Sequence, residues 1–75
     1  MKTMTCIQLG GACDKEFTAA TFNDIAAMSK QHGKEMFDAG DEPHLKAMSV
    51  MREIMHTEGA MEKWMEEKMK AFEAL

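Results

Sequence analysis

The first twenty residues alternate between apolar and polar positions on either side of a glycine pair. Gly10 and Gly11 supply the positive φ angles that both central positions of a two-residue hairpin turn require. With these glycines as the loop, Met4 lies opposite Phe17, and alternate side chains point to opposite faces. The face expected to be buried holds Met4, Cys6, Gln8, Cys13, Lys15 and Phe17. The pattern therefore predicts a β-hairpin whose buried face carries both cysteines.

Residues 22 to 37 change to a helical pattern. Thr21 is a typical N-cap, and Asp24 lies in the first turn, where the helix dipole favours a carboxylate. At about 100° per residue, the apolar positions and one histidine share a single stripe. This stripe contains Phe22, Ile25, Met28, Ser29, His32 and Met36. We expect this helix to cover the hairpin, with His32 directed toward the cysteine face.

Two more helical patterns fill the second half of the chain. Asp41 as N-cap and Pro43 in the first turn predict a helix over residues 42 to 56. Thr57 is the expected N-cap of a last helix through Leu75, and the short connection predicts an antiparallel helical hairpin. The expected inward set of the last helix is Met61, Trp64, Met65, Met69, Phe72 and Leu75.

The expected fold class is therefore α+β. A small β-hairpin packed on a helix, similar to a zinc-finger ββα unit, occupies residues 1–38, and a C-terminal antiparallel helical hairpin occupies residues 41–75. We expect the 75 residues to form a single domain. A domain this small often needs a metal, a disulfide or a partner to be stable.

Cys6, Cys13 and His32 form the candidate site. In the predicted register the cysteines are diagonal, at a typical backbone separation of about 7 to 8 Å, which disfavours a disulfide but suits two thiolates on one ion. Thiolates and imidazoles are zinc ligands. Met36, one turn after His32, is placed to add a thioether, which suits Cu(I). The sequence predicts a metal site for zinc, with Cu(I) as the alternative ion, whose fourth position is open or filled by Met36, water or a second chain.

Other interpretations of these residues stay open. Both cysteines could be buried core thiols without a ligand, or they could form a disulfide. His32, taken alone, could be an ordinary half-buried histidine, and its place in the cysteine-facing stripe is what favours a ligand role. His44 and His56 lie near the ends of the second helix, where a histidine is usually solvated or interacts with the dipole. Neither is expected to be a ligand.

The first half of the chain resembles a known family. The residues that carry the resemblance are the opening MKTMTC, the LGGACD segment at residues 9–14, the helix start at residues 19–25 and the region of His32. They resemble the short bacterial and archaeal proteins described as domain of unknown function 1059. The resemblance implies a helix ending in two histidines separated by four residues, which with two cysteines makes a four-ligand zinc set. Phe37 stands at the second histidine position, and the family implies no known activity.

Charge and motifs narrow the function classes. The net charge is −4 and no Lys/Arg cluster is present, which argues against nucleic acid as a partner. No apolar run reaches the length of a membrane span, and the first residues lack the apolar segment of a signal peptide. We therefore expect a cytoplasmic protein with reduced thiols. No catalytic triad, phosphate loop or HExxH motif is present, so no enzyme is expected.

The ten methionines support a second functional hypothesis. Methionine at helical spacing is usually flexible core filling, but a methionine-rich surface can adapt to different partners. The apolar stripe of the second helix is wide, so part of it is expected to face another chain. The alternative to a metal-binding protein is therefore an interaction module that binds another protein or forms at least a weak homodimer.

Overall fold

The computed structural model describes all 75 residues. Two strands form an antiparallel hairpin, and three helices follow it along the chain. The strands are β1 (Lys2–Thr5) and β2 (Glu16–Ala19), and the helices are α1 (Phe22–Ala39), α2 (Glu42–His56) and α3 (Ala60–Glu73). The predicted α+β fold, a hairpin followed by helices, is confirmed. None of the helices combines the length and the apolar composition that crossing a membrane requires.

The two strands pair in the register that the alternating pattern predicts. Met4 lies opposite Phe17, and both side chains are only 2 % exposed. On the other face, Thr3 and Thr18 are paired, and their hydroxyl groups are 2.8 Å apart in a solvent-exposed hydrogen bond. One face of the hairpin is thus buried and the other is polar, as period-two alternation requires.

The connection between the strands is longer than a two-residue turn, so that prediction was wrong. The chain makes a 3₁₀ turn over Ile7–Leu9; Gly10 ends it at a φ of 89°, whereas Gly11 has no positive φ. The 3₁₀ turn buries Leu9, which strand alternation would have placed on the face opposite Cys6. The 3₁₀ turn also removes Gln8 from the buried face. The side-chain oxygen of Gln8 instead accepts a hydrogen bond from the backbone N–H of Thr5 at 2.8 Å.

The first two helices begin where their capping residues predict. The hydroxyl of Thr21 accepts the backbone N–H of Asp24 at 3.2 Å, which caps α1. The carboxylate of Asp41 does the same for the backbone N–H of His44 in α2, also at 3.2 Å. Helix α1 continues two residues beyond its predicted end and stops at Gly40, which has a φ of 70°.

The start of the third helix differs from the prediction. Thr57 follows the last residue of α2, and its hydroxyl donates to the backbone oxygen of Glu53 at 2.8 Å. The N-cap of α3 is Gly59, with a φ of 77°. Thr57 thus satisfies a free carbonyl at the end of α2, a role that competes with capping the next helix.

The apolar core lies between the hairpin, α1 and the end of α3. Its eight residues are Met4, Cys6, Leu9, Phe17, Ala19, Phe22, Ile25 and Phe72. Phe72 is the one buried residue of α3, and its ring packs edge-on against Phe22 with centroids 6.0 Å apart. Lys2 adds a hydrogen bond from Nζ to the backbone oxygen of Glu73 at 2.9 Å. Of the predicted inward set of α3, Met69 and Leu75 are exposed.

Candidate metal centre

Three parts of the chain bring together four side chains of the types that bind metals. Cys6 follows β1, Cys13 lies in the loop before β2, His32 is on α1, and His44 is in the first turn of α2. The two sulfur atoms and one ring nitrogen from each histidine all lie within 4.8 Å of one another. Cys6 and His44 are 38 positions apart in sequence, so only the folded chain brings these donors together.

Two of the six distances between the donor atoms match those of a tetrahedral site. The Sγ of Cys13 is 3.3 Å from Nε2 of His32, and the Sγ of Cys6 is 3.6 Å from Nε2 of His44. With zinc–sulfur bonds of about 2.3 Å and zinc–nitrogen bonds of about 2.0 to 2.1 Å, neighbouring ligand atoms of a tetrahedral site are about 3.3 to 3.8 Å apart. Both measured pairs therefore match an edge of such a tetrahedron.

The cluster is enclosed by the rest of the protein. Cys6, His32 and His44 are 4 %, 6 % and 6 % exposed, and Cys13 is half-buried. The ring of His32 packs between Phe17 and the ring of His44, with centroid distances of 5.7 and 5.2 Å. Buried polar groups cost free energy unless they are paired. Cys6 is paired with His44 and Cys13 with His32, and the arrangement of the four groups is compatible with a small metal-binding site.

Gly11 has a steric role in this site. A Cβ atom at this position would lie 2.1 Å from the Sγ of Cys6 and 3.0 Å from its backbone oxygen. The backbone N–H of Gly11 also donates to that oxygen at 2.8 Å. The absence of a side chain at Gly11 is therefore what lets the thiol of Cys6 lie beside the loop.

His44 is oriented by Asp41. The Oδ2 atom of Asp41 is 2.5 Å from the Nδ1 atom of His44, so Nδ1 carries the proton and Nε2 presents its lone pair to the cysteines. This hydrogen bond raises the pKa of His44 above its usual value, and it lowers the pKa of the Asp41 carboxyl. A carboxylate that holds the outer nitrogen of a ligand histidine is a common feature of metal sites.

His32 has the opposite electrostatic environment. Burial lowers the pKa of His32, and the nearby His44 and Lys15 lower it further, against a smaller opposing effect of Glu35. The neutral imidazole is therefore favoured at this position. Neutral imidazole is the form that binds a metal ion, so His32 requires little deprotonation before it can act as a ligand.

The structure brings together three of the four predicted site residues. Cys6, Cys13 and His32 lie in the cluster, whereas Met36 is half-buried one turn farther along α1, and the fourth donor is His44. The expectation that His44 lies at a solvated helix end was wrong. The chain turns back at Gly40, between α1 and α2, and this turn places the first residues of α2 over the site. A sequence signal for it exists: an Asp N-cap three residues before a histidine can hold that imidazole in place.

A small cavity adjoins the cluster. Its volume is about 90 Å³, and it lies between the 3₁₀ loop, α1 and the first half of α2. Its lining includes Cys6, His32 and His44 of the cluster, together with Gly33 and Met48. The donors are therefore closely covered by protein, with a small space left between α1 and α2.

No model of a protein family, no curated protein and no solved structure matches this chain. The resemblance of its first half to the domain of unknown function 1059 family therefore stays a prediction.

Proposed function

We propose that the protein binds one zinc ion through Cys6, Cys13, His32 and His44. The observation that carries this proposal is the convergence of four donors, from the β1–β2 connection, α1 and α2, within 4.8 Å. Two cysteines and two histidines are a ligand set of structural zinc sites. Two thiolates also balance the charge of a divalent ion, which reduces the cost of burying it.

The burial pattern supports a metal over the other interpretations of the cysteines. Inert core thiols would be expected among apolar neighbours, yet each sulfur here is within 3.6 Å of an imidazole nitrogen. Both cysteines are free thiols. The carboxylate of Asp41 binds Nδ1 of His44, so that Nε2 on the other side of the ring faces Cys6. A thiol that only filled the core would not require an oriented histidine beside it.

The proposed role of the ion is structural rather than catalytic. Four protein ligands fill a tetrahedral shell, whereas catalytic zinc keeps one position open for water or substrate. We accordingly propose that the chain is a small binding protein and not an enzyme. Because thiolate ligands require reduced cysteines, the proposed location is the cytoplasm.

Native mass spectrometry of the full chain, purified under reducing conditions without added metal, tests this proposal. We expect one zinc per chain, with a mass gain of one zinc less the protons lost from the two thiols. Titration with Cu(I) distinguishes the alternative ion, since two thiolates also suit a soft monovalent metal. A chain that carries no metal and binds neither ion would show that the four residues are core residues.

A second candidate function is a methionine-based interaction surface. Met61, Met65 and Met69 follow one another at four-residue spacing along a shallow surface depression of about 510 Å³ on α3. Val50 and Met55 of α2 are 58 % and 65 % exposed. Flexible thioether side chains suit a surface that adapts to a partner or to a second copy of the chain.

A further inference from the structure

His44 is the most deeply buried side chain that helix α2 contributes to the rest of the protein. This histidine is the one buried residue of the helix, while Ala47, Met48 and Met51 are half-buried. None of the eight residues of the apolar core comes from α2. The deepest contact of α2 is therefore a polar side chain in the candidate metal centre.

The apolar contact between α1 and α2 is incompletely filled. The cavity of about 90 Å³ next to the cluster lies at this contact. Gly33 of α1 contributes no side chain there; even a Cβ atom placed on it would reach only the terminal methyl of Met48, at 3.8 Å. Because the pocket leaves its lining groups with fewer dispersion contacts, the packing of α2 on α1 is less complete than that of the apolar core.

The segments on either side of α2 allow it to move without disturbing the core. Gly40 precedes the helix and Gly59 follows it, with φ angles of 70° and 77°. A Cβ atom at either glycine would meet nothing within 4 Å, so both connections are open. Helix α3 has its own attachment, through Phe72 against Phe22 and through Lys2 against Glu73.

We propose that the bound metal ion docks α2 onto the hairpin and α1. The inference rests on the proposed metal site: Cys6, Cys13 and His32 belong to the part of the molecule that the apolar core holds together, and His44 is the ligand that α2 contributes. When the ion binds, the bond to His44 holds α2 against α1. When the ion leaves, α2 separates and the half-buried side chains Ala47, Met48 and Met51 become exposed. The position of α2 thus reports whether the site is filled, and linkage requires that freeing α2 weakens metal binding.

Trp64 provides a built-in reporter of this change. Gly10 lies in the loop between the two cysteines, and a Cβ atom there would be 3.1 Å from Sδ of Met51 and 3.3 Å from Cζ2 of Trp64. The single tryptophan of the chain therefore packs close to the metal-binding loop and to α2. We expect its fluorescence to shift to shorter wavelength when zinc is added to the metal-free protein.

Hydrogen–deuterium exchange of the full, reduced chain with and without Zn²⁺ tests the docking directly. Amides of α2 should exchange at least about tenfold more slowly with zinc, since local opening is governed by local stability. Amides of β1, β2 and the first half of α1 should be protected in both states, because the core that covers them contains no residue of α2. Mass spectrometry on the same samples reports zinc occupancy.

Two variants separate the metal from the helix itself. Cys13→Ser removes a loop ligand without changing α2, and with zinc added its α2 should exchange as in the metal-free protein. His44→Gln should behave in the same way. His56→Gln is the matched control, because His56 is an exposed histidine at the other end of α2, and it should respond to zinc like the natural chain.

The possible results are distinguishable. If zinc is bound but α2 exchanges equally fast with and without it, the docking inference is overturned while the proposed metal site stands. If zinc slows exchange uniformly in all elements, the ion folds the whole chain and does not selectively dock α2, which also overturns the inference. If no zinc binds, the proposed function fails and the docking inference fails with it.

Discussion

A single carboxylate oxygen of Asp41 holds His44 at two points. Its Oδ2 atom accepts the backbone N–H of His44 at 3.2 Å and lies 2.5 Å from the imidazole Nδ1 atom. The first contact caps α2, and the second directs the opposite ring nitrogen toward the cysteines. The start of a helix and the orientation of a candidate ligand are therefore set by the same side chain.

Replacing Asp41 separates these two roles. Asp41→Ser keeps a good N-cap, but its shorter side chain cannot reach the imidazole. Zinc affinity should fall by about 10- to 100-fold, as is typical when the outer partner of a ligand histidine is lost, while helix content by circular dichroism stays unchanged. Competition with a chromophoric chelator measures the affinity. Zinc affinity equal to that of the natural chain would show that Asp41 only caps α2.

Removing any one of the four donors should abolish or strongly reduce zinc-dependent stabilisation. A ligand that binds only the folded state stabilises it by about 2.7 kcal/mol at a free concentration 100 times its dissociation constant. The melting temperature of the natural chain should therefore rise with free Zn²⁺ under reducing conditions. The rise should be lost in Cys6→Ser and Cys13→Ser, and lost or much smaller in His32→Gln and His44→Gln.

Two matched controls accompany these variants. His56→Gln changes a histidine at the far end of α2, and Met36→Leu changes the methionine that the sequence analysis placed in the site. Both should keep the full response to zinc. If Met36→Leu lost the zinc-dependent rise in melting temperature and His44→Gln kept it, the fourth ligand would be Met36 and not His44.

The two histidines of the metal-free protein should titrate on opposite sides of their usual pKa of 6.5. Burial holds the pKa of His32 below that value, and the hydrogen bond to Asp41 holds the pKa of His44 above it. Proton NMR of the imidazole resonances against pH gives both values. Asp41→Asn should lower the pKa of His44, and a pKa of His32 above that of His44 would contradict the prediction.

These shifts have opposite effects on stability. The pKa of His32 is lower in the folded chain than in the unfolded chain, so on acidification His32 takes up its proton first in the unfolded chain. Acidification below pH 6.5 therefore destabilises the metal-free fold through this residue. His44 takes up its proton more readily in the folded chain, so its contribution is full below pH 6.5 and is lost as the pH rises through its folded pKa. Urea unfolding of reduced, metal-free protein should therefore be less acid-sensitive in His32→Gln and more acid-sensitive in His44→Gln.

Two glycine substitutions should have opposite effects. Gly11→Ala places a Cβ atom 2.1 Å from the Sγ of Cys6, so it should displace the thiol, destabilise the fold by about 1 to 3 kcal/mol and weaken zinc binding. Gly33→Ala lies inside α1 with its new methyl group 3.8 Å from Met48, so it should stabilise the chain by about 0.5 to 1 kcal/mol. Urea titration measures the free energy of unfolding of both variants. A Gly11→Ala variant more stable than the natural chain would contradict the close contact with Cys6.

Self-association can be tested without disturbing the metal centre. We expect a weak homodimer that forms through the exposed apolar side chains of α2, and sedimentation velocity across the micromolar range should detect it. Val50→Lys changes a residue that is 58 % exposed, and it should dissociate the dimer while zinc binding stays intact. Met51 is less suitable because it packs next to Gly10, in the loop between Cys6 and Cys13. A natural chain that is monomeric at all concentrations would exclude this dimer.

The sequence by itself determined the features that depend on neighbouring residues. Alternation paired Met4 with Phe17, the capping residues Thr21 and Asp41 set the starts of α1 and α2, and the helical stripe turned His32 toward the cysteines. Each of these follows from side-chain periodicity or from hydrogen bonds that span three or four residues. Such interactions can be worked out from a short window of sequence.

Only the tertiary structure decided the fourth candidate donor and the shape of the loop between Cys6 and Cys13. A 3₁₀ turn replaced the predicted tight turn because it buries Leu9 together with Cys6. His44 joined Cys6, 38 positions away in sequence, because the reversal at Gly40 lays the first turn of α2 over the site. The direction in which one helix returns across another depends on packing between elements, and no local pattern specifies it.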